Sequence, residues 1–195
     1  MNMTAKCLDI ITRITVEIHK DDCTKEKLGS GVLCTNRKLS GLVYLLTAKH
    51  CLSGLVAKEK VSIRIYNPCS GVYEYITSIK QRILLHPVDD AGIIIFNLRE
   101  FTSVISDLPS VFVIDKNVRF DEAVTKGFPL ATLDQTSEMG ESSLVALKMS
   151  YLQEIPSENV FQLSTSNDYT EDTIKGMSGA GIFLEACEEL YINGI

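Results

Sequence analysis

The chain has 195 residues, 45% of them hydrophobic and 23% charged, enough apolar material to bury a core in one generous domain or two small ones. Its 19 basic residues are outnumbered by 25 acidic ones, and a net charge of -6 works against a phosphate-backbone partner, so nucleic acid is not the expected ligand. Met1 to Asp9 holds no apolar run of signal-peptide length, and no stretch approaches the ~20 apolar residues that span a bilayer; a soluble, cytoplasmic protein without a membrane partner is expected.

Along the chain, short runs of β-branched and aromatic residues recur between Gly, Asn, Pro and Ser, and no stretch holds a 3.6-residue period over three turns. The pattern predicts an all-β chain. Strands are predicted over Ile11 to His19, Gly31 to Thr35, Leu42 to Thr47, Val61 to Tyr66, Val72 to Leu85, Gly92 to Asn97, Glu122 to Gly127, Ser142 to Met149, Asn159 to Ser164, Gly181 to Leu184 and Leu190 to Ile195. Eleven runs are more than one small barrel needs. Phe101 to Phe120, which carries Pro109, breaks the rhythm and places a division into two halves near residue 108, giving units of 1–108 and 109–195. Ser164 to Asp172 reads as a polar loop suited to displaying a site.

Six cysteines, Cys7, Cys23, Cys34, Cys51, Cys69 and Cys187, show no CxxC spacing, and the three histidines, His19, His50 and His86, show no ligand spacing. The expectation is reduced thiols in a reducing compartment, with no metal and no other cofactor.

Three segments carry residues suited to chemistry. In Gly176-Met177-Ser178-Gly179-Ala180-Gly181, glycines around one serine allow a tight turn whose amides can point at a substrate carbonyl while the hydroxyl stays accessible. Tyr44 to Leu52 is an apolar run ending on His50, and imidazole is the side chain best suited to take a hydroxyl proton and return it to a leaving amine. His86-Pro87-Val88-Asp89-Asp90 sets carboxylates just before the apolar strand Gly92 to Phe96, where one could orient an imidazole. Taken singly, each also fits an ordinary glycine turn, hairpin histidine or turn aspartate.

Together, and in this order, they resemble the chymotrypsin/trypsin superfamily of serine endopeptidases. Thr47-Ala48-Lys49-His50-Cys51 is similar to the family's Thr/Ser-Ala-x-His-Cys segment, Asp90-Ala91-Gly92-Ile93-Ile94 to its aspartate strand, and Gly176-Met177-Ser178-Gly179-Ala180 to its Gly-Asp-Ser-Gly-Gly loop. Gly29-Ser30-Gly31-Val32, Lys126-Gly127-Phe128-Pro129 and Leu190 to Ile195 are further echoes, the second of bacterial members.

The resemblance implies two antiparallel six-stranded barrels with the site between them, Ser178 as nucleophile, His50 as general base and then acid, and an aspartate orienting it. Asp90 is preferred to Asp89, because choosing Asp89 would put Asp90 where an apolar residue normally packs. The amides of Gly176 and Ser178 become the oxyanion hole. Asp172, six residues before Ser178, becomes the acidic floor of a pocket for Arg or Lys, with Thr173 and Lys175 beside it as substrate-binding residues. The sequence also departs from the family. Met177 replaces an aspartate used in zymogen activation, the usual disulfide partner of Cys51 falls near Gly29, and only 17 residues follow Ser178, which suggests an incomplete second barrel.

The implied function is a serine endopeptidase acting on a protein or peptide substrate. Two other readings stay open: an inactive double-barrel binding or scaffolding module, and a protease effector governed by a sensor or regulatory region of a longer chain.

Overall fold

The computed structural model describes residues 3–21, 26–35, 41–53, 55, 61–79, 82–97, 99, 108–109, 111–114, 120–132, 143–155, 160–165 and 169–195. Its first element corrects the strand expected over Ile11 to His19. Helix α1 spans Ala5–Ile14, and strand β1 begins only at Thr15. Thr4 caps the helix, its side chain accepting from the Cys7 amide at 3.3 Å, and Cys7, Ile11 and Ile14 form a buried stripe at helical spacing. Ten residues fall short of three turns, so the helical period was too brief to stand out against β-branched isoleucines.

Seven strands form the first sheet: β1 (Thr15–Lys20), β2 (Lys27–Thr35), β3 (Leu42–Thr47), β4 (Val61–Asn67), β5 (Val72–Ile79), β6 (Arg82–Leu85) and β7 (Gly92–Asn97). Their order is β5-β4-β1-β2-β3-β7-β6, with every pairing antiparallel. The single run expected over Val72 to Leu85 is two strands, at opposite edges of the sheet. Because Ile79 and Arg82 are three residues apart, their Cα atoms lie within about 11 Å. The sheet therefore curls until its two edges approach at that corner.

The second sheet has six strands, β8 (Phe112–Val113), β9 (Ala123–Gly127), β10 (Val145–Ile155), β11 (Val160–Thr165), β12 (Gly181–Ala186) and β13 (Glu189–Gly194), in the order β11-β10-β9-β12-β13-β8. All its pairings are antiparallel except the short parallel one between β8 and β13. Strand β8 falls inside Phe101 to Phe120, read from sequence as connection only. Residues 101–107, 110 and 115–119 of that stretch, Ser142 and Asn159 at two expected strand starts, and 166–168 of the expected polar loop lie outside the described residues. A one-turn helix, α2 (Glu171–Ile174), precedes the glycine loop.

One apolar core joins both sheets: Ile11 and Ile14 of α1 pack with Val16, Ile18, Leu33, Leu45, Ile63, Ile94 and Phe96 of the first sheet and with Phe183 and Ile192 of the second. The helix is also held by polar contacts to the second sheet. Lys126 Nζ donates to the Leu8 carbonyl at 3.0 Å and to Thr12 Oγ1 at 2.6 Å, and the Thr4 amide donates to Glu185 Oε2 at 2.7 Å. Among the described residues no helix is long and apolar enough to cross a membrane.

Beneath the apolar core of the first sheet lies a charged cluster. Glu17 on β1 is completely buried, with Lys27 Nζ at 3.1 Å, Arg64 Nη1 at 3.0 Å and His19 Nε2 at 3.5 Å. Burial opposes its charge, but the His19 hydrogen bond, the Lys27 and His19 charges and the Arg64 hydrogen bond outweigh it, lowering its pKa to about 2. A carboxyl whose pKa is depressed on folding adds stability above its unfolded value and loses it as pH falls through the folded one. Glu17 is thus expected to contribute about 3 kcal/mol near neutral pH, lost as pH falls from the ordinary 4.5 to about 2. Urea denaturation of parent and Glu17→Gln across that window checks this: the Gln variant should be the weaker near neutrality, and the gap should close toward the acid end.

Candidate active site

His50 sits in a 3-10 turn, Lys49–Cys51, that follows β3 directly. Asp90 sits in the bend just before β7, and β3 pairs with β7 so that Thr47 lies opposite Gly92. This register brings the two residues together. His50 Nδ1 lies 2.6 Å from Asp90 Oδ2, and the His50 amide donates to Asp90 Oδ1 at 2.9 Å. A carboxylate only accepts, so the imidazole proton on that side belongs to Nδ1, which leaves Nε2 as the basic nitrogen. Partial burial opposes the Asp90 charge, but the His50 side-chain and backbone hydrogen bonds, with the His50 and Lys49 charges, hold the carboxyl below its ordinary value.

Asp89 is engaged elsewhere. Its amide donates to His86 Nδ1 at 2.8 Å, and its Oδ2 lies 3.1 Å from the same nitrogen.

Ser178 is exposed on the loop between α2 and β12, and the loop is docked on the first sheet through its carbonyls. The Ser178 carbonyl accepts the Ser30 amide at 2.8 Å and the Cys51 thiol at 3.5 Å. Ser178 is thereby fixed beside the residue that follows His50. Ser30, completely buried on β2, ties the parts together: its Oγ donates to the Gly176 carbonyl at 3.2 Å and accepts the Phe128 amide at 3.0 Å, while its carbonyl accepts Thr47 Oγ1 at 2.7 Å. From sequence Ser30 was only an echo of a family pattern; the signal was one hydroxyl between two glycines in an otherwise apolar strand.

The two amides expected to form an oxyanion hole are held through their own peptide planes. A trans peptide points its N–H opposite its C=O, so fixing one aims the other. The carbonyl before Gly176, that of Lys175, accepts the Leu130 amide at 2.6 Å; the carbonyl before Ser178, that of Met177, accepts the Ala180 amide at 2.8 Å. The Met177 amide bonds the Ile174 carbonyl at 3.0 Å, whereas among the described residues the amides of Gly176 and Ser178 donate to no backbone carbonyl. Gly176 has φ +94, and a Cβ there would meet Leu130 N at 3.0 Å and Leu130 Cγ at 2.9 Å, so backbone and packing both require glycine. Met177 is buried against Leu147 and Ala180.

The residues expected to bind substrate lie on α2 and just after it. Thr173 is exposed, and its hydroxyl turns back to the Thr170 carbonyl at 2.7 Å. Lys175 is exposed, and its amide closes the helix on the Glu171 carbonyl at 3.0 Å. The Asp172 backbone belongs to α2, while its side chain lies outside the described residues.

The described cysteines, Cys7, Cys34, Cys51, Cys69 and Cys187, are free thiols. Burial pushes the Cys51 thiol up, and a Cβ on Gly29 would lie 2.6 Å from its sulfur, so residue 29 faces Cys51.

No family model and no curated protein matches the chain. Among solved structures it is similar to the crystal structure of a scabies mite inactivated protease paralogue, S-D1, at 13% identity over 88% of this chain and 77% of that one, with a TM-score of 0.55. At that identity the likeness defines the fold. The chain is an all-β protein of two sheets with the trypsin-like double-barrel architecture.

Proposed function

We propose that this chain is a serine endopeptidase that cleaves protein substrates after Arg or Lys through an acyl-enzyme, with the first barrel, to about residue 108, carrying His50 and Asp90, and the second carrying Ser178. The observation that carries the reading is the 2.6 Å contact between His50 Nδ1 and Asp90 Oδ2, on a turn that also holds the Ser178 carbonyl. A binding module has no physical need for an imidazole oriented in this way on a turn whose last residue, Cys51, meets the carbonyl of an exposed serine.

In this reading Ser178 Oγ attacks the scissile carbonyl while His50 Nε2 takes its proton, and Asp90 stabilises the imidazolium that forms. The amides of Gly176 and Ser178 receive the developing oxyanion. His50 then returns the proton to the leaving amine, and water repeats the sequence to release the acid. Asp172 serves the basic side chain of the substrate, with Thr173 and Lys175 at the same wall. A reducing cytoplasm and a regulatory region elsewhere in a longer chain belong to the same proposal.

The neighbouring fold in the mite paralogue is described as inactivated, so fold alone does not decide turnover and the inactive binding module is the second reading. The deciding experiment is hydrolysis of a fluorogenic peptide panel with Arg, Lys, Glu, Leu or Phe before the scissile bond. Ser178→Ala and His50→Ala are expected to lower hydrolysis about 10⁴-fold or more, and Asp172→Ser to impair cleavage after Arg and Lys selectively. Serine-dependent cleavage after another residue would keep the triad and discard the basic pocket. No cleavage above the Ser178→Ala background would favour the binding module.

A further inference from the structure

The buried cluster around Glu17 reaches the glycine loop through hydrogen bonds at the two ends of the short segment Phe128-Pro129-Leu130. Lys27, on β2, has its side chain almost fully enclosed, with Glu17 at 3.1 Å, and its ammonium also donates to the Phe128 carbonyl. Arg64 lies on the other oxygen of Glu17 and stacks over the rings of Tyr73, at 4.8 Å, and Phe128, at 5.8 Å. Tyr73 meets the Phe128 ring edge-on at 5.6 Å. Phe128 is completely buried, gripped at its ring by Arg64 and Tyr73, at its amide by Ser30 and at its carbonyl by Lys27.

Two residues further on, past the stiff Pro129, the Leu130 amide holds the Lys175 carbonyl at 2.6 Å. That carbonyl sets the plane of the peptide whose N–H belongs to Gly176. At Met177, beside this peptide, the loop presents an apolar side chain buried in the second sheet.

We propose that Lys27, braced by Glu17, is a positioning residue for the Gly176 amide, acting through the Phe128 carbonyl and the Leu130 N–H on the Lys175 carbonyl. The inference rests on the reading of 176–178 as an oxyanion-binding loop. Without the clamp the Lys175–Gly176 peptide is free to rotate and turn its N–H away from the substrate carbonyl. The ion pair on the first sheet then governs transition-state binding on the second, leaving ground-state binding and the His50–Asp90 pair untouched.

The test uses Lys27→Met together with Glu17→Gln, which removes the buried acid along with its ammonium, and Lys27→Arg as the conservative variant. Amide hydrogen exchange gives a readout that does not depend on turnover. In the double variant the Leu130 amide should exchange about tenfold or more faster, with Leu45 on β3 unchanged. Peptide hydrolysis should show kcat reduced about 10- to 100-fold at nearly constant KM, part of the cost of losing one oxyanion donor. Lys27→Arg should restore both readouts in part. Unchanged Leu130 protection in a folded double variant overturns the proposal, as does a rise in KM at constant kcat. If the parent shows no serine-dependent hydrolysis, the peptidase reading fails, and the exchange result alone still decides whether Lys27 holds the Leu130 contact. If the double variant does not fold, rapid exchange of Leu130 in the parent overturns the proposal, and protection equal to that of β9 supports it.

Discussion

Replacing Asp90 by Asn is expected to lower kcat by about four orders of magnitude while leaving KM and thermal stability nearly unchanged. The reason lies in the two contacts the carboxylate makes at once. Oδ1 accepts the His50 amide at 2.9 Å, and Oδ2 meets Nδ1 at 2.6 Å. An amide has only one acceptor oxygen. Kept on the backbone N–H, it turns its NH2 toward the imidazole, which can accept only if the ring proton moves to Nε2. The nitrogen that should take the Ser178 proton then already carries one, so the serine stays a neutral alcohol. Asp89→Asn, which changes a contact to His86, is expected to stay within a few-fold of the parent. Steady-state kinetics of the two variants side by side checks the assignment, and a large loss at Asp89 with none at Asp90 would reverse it.

Gly179→Ala should be among the most damaging single-methyl changes in the molecule. The residue has φ +84, and an added Cβ would fall 2.1 Å from Thr47 Oγ1 and 2.3 Å from the Ser30 carbonyl, inside any tolerable contact. It would land on the hydrogen bond, 2.7 Å long, that joins those two groups. Thr47 leads into His50 and the Ser30 amide holds the Ser178 carbonyl, so relief of the clash must move one side of the site or the other. The strained backbone and overpacking together are expected to cost about 2 to 5 kcal/mol. Gly71→Ala, with φ +74 and nothing within 4 Å, isolates the backbone part and should cost only about 1 to 2 kcal/mol. Urea denaturation of the pair separates the two contributions, and equal losses would show that the packing argument is wrong.

Much of the architecture was legible because most strands are short, β-branched and bounded by turn residues. Leu42 to Thr47 and Gly92 to Asn97 match β3 and β7 residue for residue, since each is a short, nearly continuous apolar run preceded by turn residues. Helix α1 was missed because its stripe of Cys7, Ile11 and Ile14 is short and merges with the apolar start of β1. The split between β5 and β6 was invisible for another reason: no Gly, Pro, Asn or Asp stands between Ile79 and Arg82 in the sequence to mark a break, and only the pairing partners differ. At the site, the closeness of His50 and Asp90 follows from strand register, which local pattern does not encode, and the resemblance stood in for it. The Glu17 cluster left no local trace, since its members come from three strands and a charged residue read alone looks solvated.

The contacts that complete the site are also among the longest in the chain. Ser30 meets Gly176 across 146 positions, and Thr4 meets Glu185 across 181. A ribosome adding about 5 to 20 residues per second therefore delivers the first sheet several seconds before the serine loop that docks on it. During that interval the histidine and aspartate can already be paired while the nucleophile has yet to be synthesised. Catalytic competence, on the proposed reading, waits for the serine loop, and a nascent chain interrupted before residue 178 has no nucleophile with which to cleave its neighbours.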